Sequence, residues 1–426
     1  MRFSGNTSWM LLEQFVRTGV AFFIGIYLAR YLGPKQFGLL SYGLSLVLIV
    51  QVFARLGMDS ILTREISRSP ESADDLKATA VWLMLAGSVI AVIALWTGLR
   101  LVGESSDIVE IVVILLVSVP LQCLYVVDYH CQSQQKAKLS SLLKVSVLLA
   151  GGGARVVLVC YGAPLSWFVV LVPVEALVMA LAFGFLNQRL SGASPFARPS
   201  FETARKLVGD AWPMVLSSLS VILYLRIDQV MIQHMLGHQA LGFYSAASKI
   251  YEGWVVLPVV LSVAALPRLV KARATDVALY ERELCMLFSI VFWGGGSVAI
   301  ICFFFSDTII RLSFGQAFLP SAEVLSVSMW AAAFAGLGSV SVRYFVVEGL
   351  TRLNLHRTVV ALLLNVALNF FMIPRYGIQG AAYSTLICLS FSNFFMDILD
   401  PRLRRLAILK SKALIMYPLW HSKEAG

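Results

Sequence analysis

Long apolar runs separated by short polar breaks dominate the chain, and that spacing leaves few folds open. The hydrocarbon core of a bilayer, about 30 Å thick, needs roughly 20 apolar residues per helix. Measured against that length, twelve spans emerge, at about 9–30, 38–58, 79–101, 108–130, 141–161, 165–187, 212–235, 240–266, 284–305, 320–347, 356–373 and 377–398. Of the 426 residues, 58% are hydrophobic and only 14% charged, where a soluble domain carries about a quarter charged. So much apolar surface needs lipid as its solvent. The N-terminus has one early arginine and no short apolar run ending in a cleavage site, so the first span is expected to be retained. The expected class is an all-α polytopic membrane protein of about twelve transmembrane helices, in two six-helix lobes around a central cavity.

The hydrophilic breaks order those helices. The longest, 188–211, is rich in Pro, Ser and Arg and reads as a cytoplasmic linker. It separates a six-helix lobe over 1–187 from a second over 212–398, with a basic tail over 399–426. With the N-terminus in the cytoplasm, about 23 Lys and Arg fall on the inner side, from Arg2 through the tail to Lys423, and about 5 on the outer side. By the positive-inside rule both termini face the cytoplasm. The formal charge of +10 is therefore a topological signature, and no nucleic-acid module accompanies it.

An internal repeat supports the two halves. Residues 31–41 read YLGPKQFGLLS and residues 235–245 read MLGHQALGFYS, so that Leu32, Gly33, Gly38 and Ser41 match Leu236, Gly237, Gly242 and Ser245 at a constant offset of 204. Each copy joins the first two helices of its half, where glycine relieves a tight turn. An even number of helices per half gives repeats of parallel topology.

Ionisable residues inside the spans are the candidate functional groups, because a charge at mid-bilayer needs a partner or a wet cavity. Glu13 and Arg17 stand one turn apart, at a spacing that allows them to pair, as do Lys249 and Glu252. Arg226 and Asp228 lie deep in the seventh span on different faces, Arg155 lies in the fifth, and Arg55 and Arg343 approach the ends of the second and tenth. Arg17, Arg155, Arg226, Lys249 and Arg343 form the candidate cationic, substrate-binding set, suited to an anionic substrate. Glu13, Asp228 and Glu252 are candidates for ion coupling, and Arg55, Arg64 and Glu65 for a gate at the cytoplasmic boundary. Each has a bland alternative: interfacial snorkelling for Arg55 and Arg343, and self-satisfied structural pairs for Glu13–Arg17 and Lys249–Glu252.

Other chemistry has little support. The six cysteines form no CxxC pair and the five histidines no metal motif, so neither metal nor cofactor is expected. No phosphate-binding loop or nucleophile elbow is present. The GGG runs at 151–153 and 294–296 read as close helix packing. Pro120, Pro173 and Pro258 fall within spans and are expected to kink them.

Residues 28–69 (LARYLGPKQFGLLSYGLSLVLIVQVFARLGMDSILTREISRS) resemble the opening of O-antigen and exopolysaccharide flippases. Residues 225–269 (LRIDQVMIQHMLGHQALGFYSAASKIYEGWVVLPVVLSVAALPRL) resemble the start of their second half. These flippases belong to the multidrug, oligosaccharidyl-lipid and polysaccharide exporter superfamily. The resemblance implies a positively charged central cavity and movement of undecaprenyl-pyrophosphate-linked sugars from cytoplasmic to periplasmic leaflet by alternating access. An ion gradient of protons or sodium would drive it, in a bacterial inner membrane. It matches Arg226 and Asp228, Lys249 and Glu252, and Arg64 and Glu65 to the relatives' charged positions.

The expected function is flipping of lipid-linked oligosaccharides, with no enzymatic activity. Expected partners are that substrate, the coupling ion, membrane lipid and polysaccharide polymerase machinery. Two alternatives stay open: a multidrug cation antiporter of the same superfamily, and a membrane polysaccharide polymerase or ligase.

Overall fold

The computed structural model describes residues 5–190 and 194–415. Arg2, residues 191–193 of the expected linker and the tail beyond 415 lie outside the described residues. All regular structure among the described residues is helical. The principal helices are α1 (Gly5–Arg55), α2 (Met58–Arg68), α3 (Ala73–Val102), α4 (Ser106–Leu116), α5 (Val126–Ser133), α6 (Ala137–Cys160) and α7 (Leu165–Leu190). There follow α8 (Phe201–Leu236), α9 (His238–Thr275), α10 (Val277–Ser313), α11 (Ser321–Val347), α12 (Thr351–Ser390), α13 (Met396–Leu399) and α14 (Arg404–Leu414).

Ten helical stretches among the described residues are long and apolar enough to cross a bilayer. Two of them are double. The α1 helix breaks at Gly33 (φ 72°, ψ 172°) just before Pro34, and α12 breaks at Gly377 (φ 60°, ψ −141°) shortly after Pro374. Counting each as two spans recovers the twelve read from hydropathy. Large apolar side chains project from the spans, such as Phe23, Leu181 and Phe304, as expected where lipid rather than water is the surroundings.

The chain forms two compact units, Met1–Leu32 with Leu39–Arg226, and Gly33–Gly38 with Ile227–Gly426. Residues 201–211, read from sequence as linker, are the opening turns of α8, and the division falls later in that helix. In the first unit Ile61, Leu62 and Ile66 of α2 pack in one core with Val126 and Val127 of α5, Phe183 of α7 and Leu207 of α8. In the second, Leu284 and Phe288 of α10, Leu337 and Val340 of α11, and Leu406 and Leu409 of α14 share a core.

The repeat has a shared backbone form. Gly237 (φ 84°, ψ −178°) occupies the same region as Gly33, one that is essentially restricted to glycine. Five residues on, the copies meet within the second unit. A Cβ at Gly38 would overlap the His238 carbonyl, and a Cβ at Gly242 would overlap the Pro34 carbonyl. Equivalent positions of the two copies therefore touch reciprocally, backbone to backbone.

The triple glycines do serve close approach. A Cβ at Gly151 would overlap the Glu175 carboxylate, and one at Gly295 would lie 2.8 Å from the Ala333 Cα. Of the three prolines flagged above, Pro173 and Pro258 sit inside α7 and α9. Pro120 opens a 3₁₀ turn, Pro120–Tyr125, that separates α4 from α5.

Candidate functional site

The first unit holds a half-open cavity of ≈ 550 Å³. Its wall takes Glu13, Gln14, Arg17, Gln51 and Arg55 from α1, Asp59 from α2, and Gln122 and Tyr125 from the 3₁₀ turn. It also takes Asp128 and Gln132 from α5, Lys144 from α6 and Glu175 from α7. The wall of this cavity is mixed in charge.

How each cation is compensated is the informative part. Lys144 Nζ lies 2.8 Å from Glu13 and 3.0 Å from Asp128, and the Ser141 hydroxyl donates to Glu13 at 2.9 Å. Glu13 thus pairs across to α6 instead of with Arg17 on its own helix. Arg155 is held in a fork by both oxygens of Glu175, so its charge is neutralised beside the cavity. Arg17 and Arg55 differ. Arg17 donates to the side-chain Oε1 of Gln14. Arg55 donates twice to Gln122 Oε1, at 3.1 and 2.8 Å, and its guanidinium lies 5.5 Å over the Tyr125 ring, a favourable cation–π placement. Among the described residues no carboxylate pairs with either arginine. Both are capped at the wall by neutral dipoles rather than by acids. Arg55, read from sequence as a boundary residue, lines this cavity.

Other expected residues fall elsewhere. Arg64 bonds Asp210 and Glu65, and Glu65 also receives Lys206 at 2.6 Å, tying α2 to the first turns of α8. Arg226 is half-buried on α8, and Lys249 and Glu252 are half-buried one turn apart on α9. Arg343, half-buried on α11, has its Nε buried without a hydrogen bond.

Asp228, in the second unit, sits in a different setting. Its carboxylate is buried and accepts from the Tyr244 hydroxyl at 2.8 Å, the Thr385 hydroxyl at 2.8 Å and the Asn369 amide at 2.6 Å. That amide also reaches Asn365 Oδ1 at 3.0 Å, while Asn369 Oδ1 is buried with no hydrogen bond. The α12 helix supplies Asn365, Asn369 and Thr385, and α8 and α9 supply Asp228 and Tyr244. The buried carboxylate thus meets two hydroxyls and one amide N–H, with the Asn365 and Asn369 side-chain oxygens on the same helix beside it; carboxylate, hydroxyl and amide oxygens are the ligand types of hard cations.

Sequence reasoning missed the amides. Gln14, Gln122, Asn365 and Asn369 carry no charge, yet a neutral amide within an apolar span is a costly residue that needs a partner. Asn365 and Asn369, spaced i,i+4 in an apolar helix, were the readable signal.

With a charged cavity in its first unit and a buried carboxylate in its second, the chain is a multi-pass helical membrane protein with polar sites within its spans. The fold is similar to that of the lipid II flippase MurJ, solved in an inward closed conformation, with a TM-score of 0.74 at 15% identity over 97% of this chain and 92% of that one. An inward-facing multidrug resistance MATE transporter of the MOP superfamily gives a TM-score of 0.73 at 17% identity, over 93% and 96% of the two chains. The sequence profile of the polysaccharide biosynthesis protein family matches residues 3–273, and the chain belongs to that family. It is 23% identical to a Shigella flexneri protein named for O-antigen transport, over 89% of this chain and 93% of that one. It is 24% identical to a Haloferax volcanii protein named as a flippase of low-salt glycan biosynthesis, over 85% and 76% respectively.

Proposed function

We propose that the protein flips undecaprenyl-pyrophosphate-linked oligosaccharides from the cytoplasmic to the periplasmic leaflet of a bacterial inner membrane, by alternating access and without catalysis. Both termini lie in the cytoplasm in this reading. The observation that carries it is the pair Arg17 and Arg55, charged but capped only by amide oxygens at the cavity wall. A pyrophosphate exchanges a neutral hydrogen bond for a charge-assisted one there, about twice as strong. Gln51, Gln132 and the carboxylates of the same wall offer hydrogen bonds to sugar hydroxyls. Arg226, Lys249 and Arg343 extend the cationic set along the second half of the chain, and Arg64 with Glu65 serves the cytoplasmic boundary.

Coupling belongs to Asp228, whose oxygen cluster suits sodium or a proton better than the lysine-compensated Glu13 does. Glu252 is the second candidate. The names of the relatives support a glycan substrate, and two arginines without acid partners disfavour an organic cation. Polysaccharide polymerase machinery is the expected consumer of the flipped product.

The test is uptake of a labelled undecaprenyl-pyrophosphate oligosaccharide by proteoliposomes. Arg17→Ala and Arg55→Ala should each raise the apparent KM roughly tenfold to a hundredfold, the worth of one charge-assisted bond. Each should lower the melting temperature less than Arg155→Ala does, since it leaves an amide rather than a carboxylate unpaired. Unchanged transport in both variants would refute the assignment.

A further inference from the structure

The α14 helix has a face that nothing described so far uses. Its inner face is fixed. Lys410 is fully buried and its ammonium reaches the Asn393 carbonyl at 2.5 Å and the Asp397 carboxylate. Arg357, also buried, donates to the Ser392 carbonyl at 2.9 and 2.6 Å and lies 3.5 Å from Asp397. These carbonyls belong to a π-helical turn, Phe391–Phe395, whose widened ladder frees backbone acceptors. Ser289 donates to the Ala413 carbonyl at 3.0 Å, fastening the far end of α14 to α10.

With the helix held in rotation, its outer face is set as well. Arg404, Ile408, Lys412 and Ile415 are exposed, Ile408 by 48% and Ile415 by 77%. Spacings of four, four and three residues place them on one stripe of a helix. No acid occurs between Pro401 and Ile415. The preceding span ends at Leu399, itself exposed, and only the turn Pro401–Leu403 intervenes. The stripe therefore begins within a few residues of the end of a candidate membrane span, and there it alternates cation with apolar side chain.

We propose that this stripe of α14 docks on anionic phospholipid, with Arg404 and Lys412 on lipid phosphates and Ile408 and Ile415 in the acyl boundary. Interfacial helices combine these two attractions, apolar burial and charge. That the leaflet is the cytoplasmic one rests on the orientation proposed above; the docking itself does not.

The test uses the full chain in nanodiscs, with a bimane label on Ile408→Cys and with Cys160, the exposed member of the six free cysteines, replaced by serine. Phosphatidylcholine discs with phosphatidylglycerol should give a blue-shifted emission that discs of phosphatidylcholine alone do not. The shift should vanish in Arg404→Gln/Lys412→Gln and in 1 M salt, where the screening length falls to about 3 Å. An equal shift in both lipids would mean apolar contact only, and no shift would mean a water-facing helix; either overturns the proposal. So does a shift reproduced by inorganic phosphate in neutral discs. Ile415→Cys gives the same readout should the first labelled variant fail to fold. Transport is not measured, so a negative result leaves the flippase reading untouched.

Discussion

At the scale of single residues, what distinguishes the charges in and around the cavity wall is the partner each has been given. Arg155 and Lys144 face carboxylates, while Arg17 and Arg55 face amides. Arg155→Ala strands the Glu175 carboxylate, so it should lower stability by about 1–3 kcal/mol and report on folding, in contrast to Arg55→Ala. Lys410 makes a second case. Burial pushes its ammonium down to about 7 from the usual 10.5, against the pull of Asp397. Between those values the folded chain holds this proton less often than the unfolded chain does. Stability therefore rises with pH across that window, and below about 7 the full cost of burying the charge is present. Lys410→Met leaves Asp397 paired with Arg357 and should remove that upward slope. Melting temperatures of both proteins from pH 7 to 10, subtracted pairwise, check it; parallel curves would show that Lys410 does not titrate there.

At the scale of elements, the chain wrote its helices openly and its partnerships obscurely. Hydropathy found all twelve spans, including the double ones in α1 and α12, because the need to span lipid imposes a length that no tertiary contact overrides. The repeat placed Gly33 and Gly237 in matching turns, because the geometry there admits little besides glycine. Which cation meets which acid was not legible. Glu13 reaches Lys144, 131 positions along the sequence, and no local rule reaches that far. Spacing on one helix pointed to Arg17 instead. The amides around Asp228 escaped notice for a related reason, since charge marks a residue as costly in lipid and neutrality hides it. A prediction follows for the repeat. Gly38→Ala or Gly242→Ala drives a methyl into a carbonyl of the other copy, where backbone on both sides leaves nothing soft to yield. Each should cost on the order of 1–3 kcal/mol, as overpacking does, whereas Gly19→Ala, with open space around it, should cost nothing measurable. Thermal denaturation of the three variants in detergent distinguishes them, and equal melting temperatures would show that the reciprocal contact is not tight.

At the scale of the molecule, the function proposed above gives the two units different tasks. It assigns an anion to Arg17 and Arg55 in the first unit and a cation to the buried Asp228 carboxylate in the second. A gradient can do work on a substrate only if ion binding distinguishes the conformational states, and by linkage the substrate must then alter ion binding by the same factor. If Asp228 is that coupling point, its loss should separate movement from drive. Asp228→Asn keeps the shape and the bonds to Tyr244 and Thr385 while removing the charge that attracts a cation. Exchange of labelled for unlabelled substrate at equal concentrations should survive in this variant, because exchange needs only binding at the arginines and the conformational cycle. Accumulation against a concentration difference, driven by an imposed sodium or proton gradient, should disappear. Sodium should also stabilise the wild type against heat relative to choline at matched ionic strength, in proportion to RT ln(1 + [L]/Kd), and should leave Asp228→Asn unmoved. Should sodium fail while acidification of the outer side still drives uptake through Asp228, the coupling ion is the proton. If the variant accumulates substrate as well as the wild type does, the work is done at another carboxylate, and Glu252 becomes the next to replace.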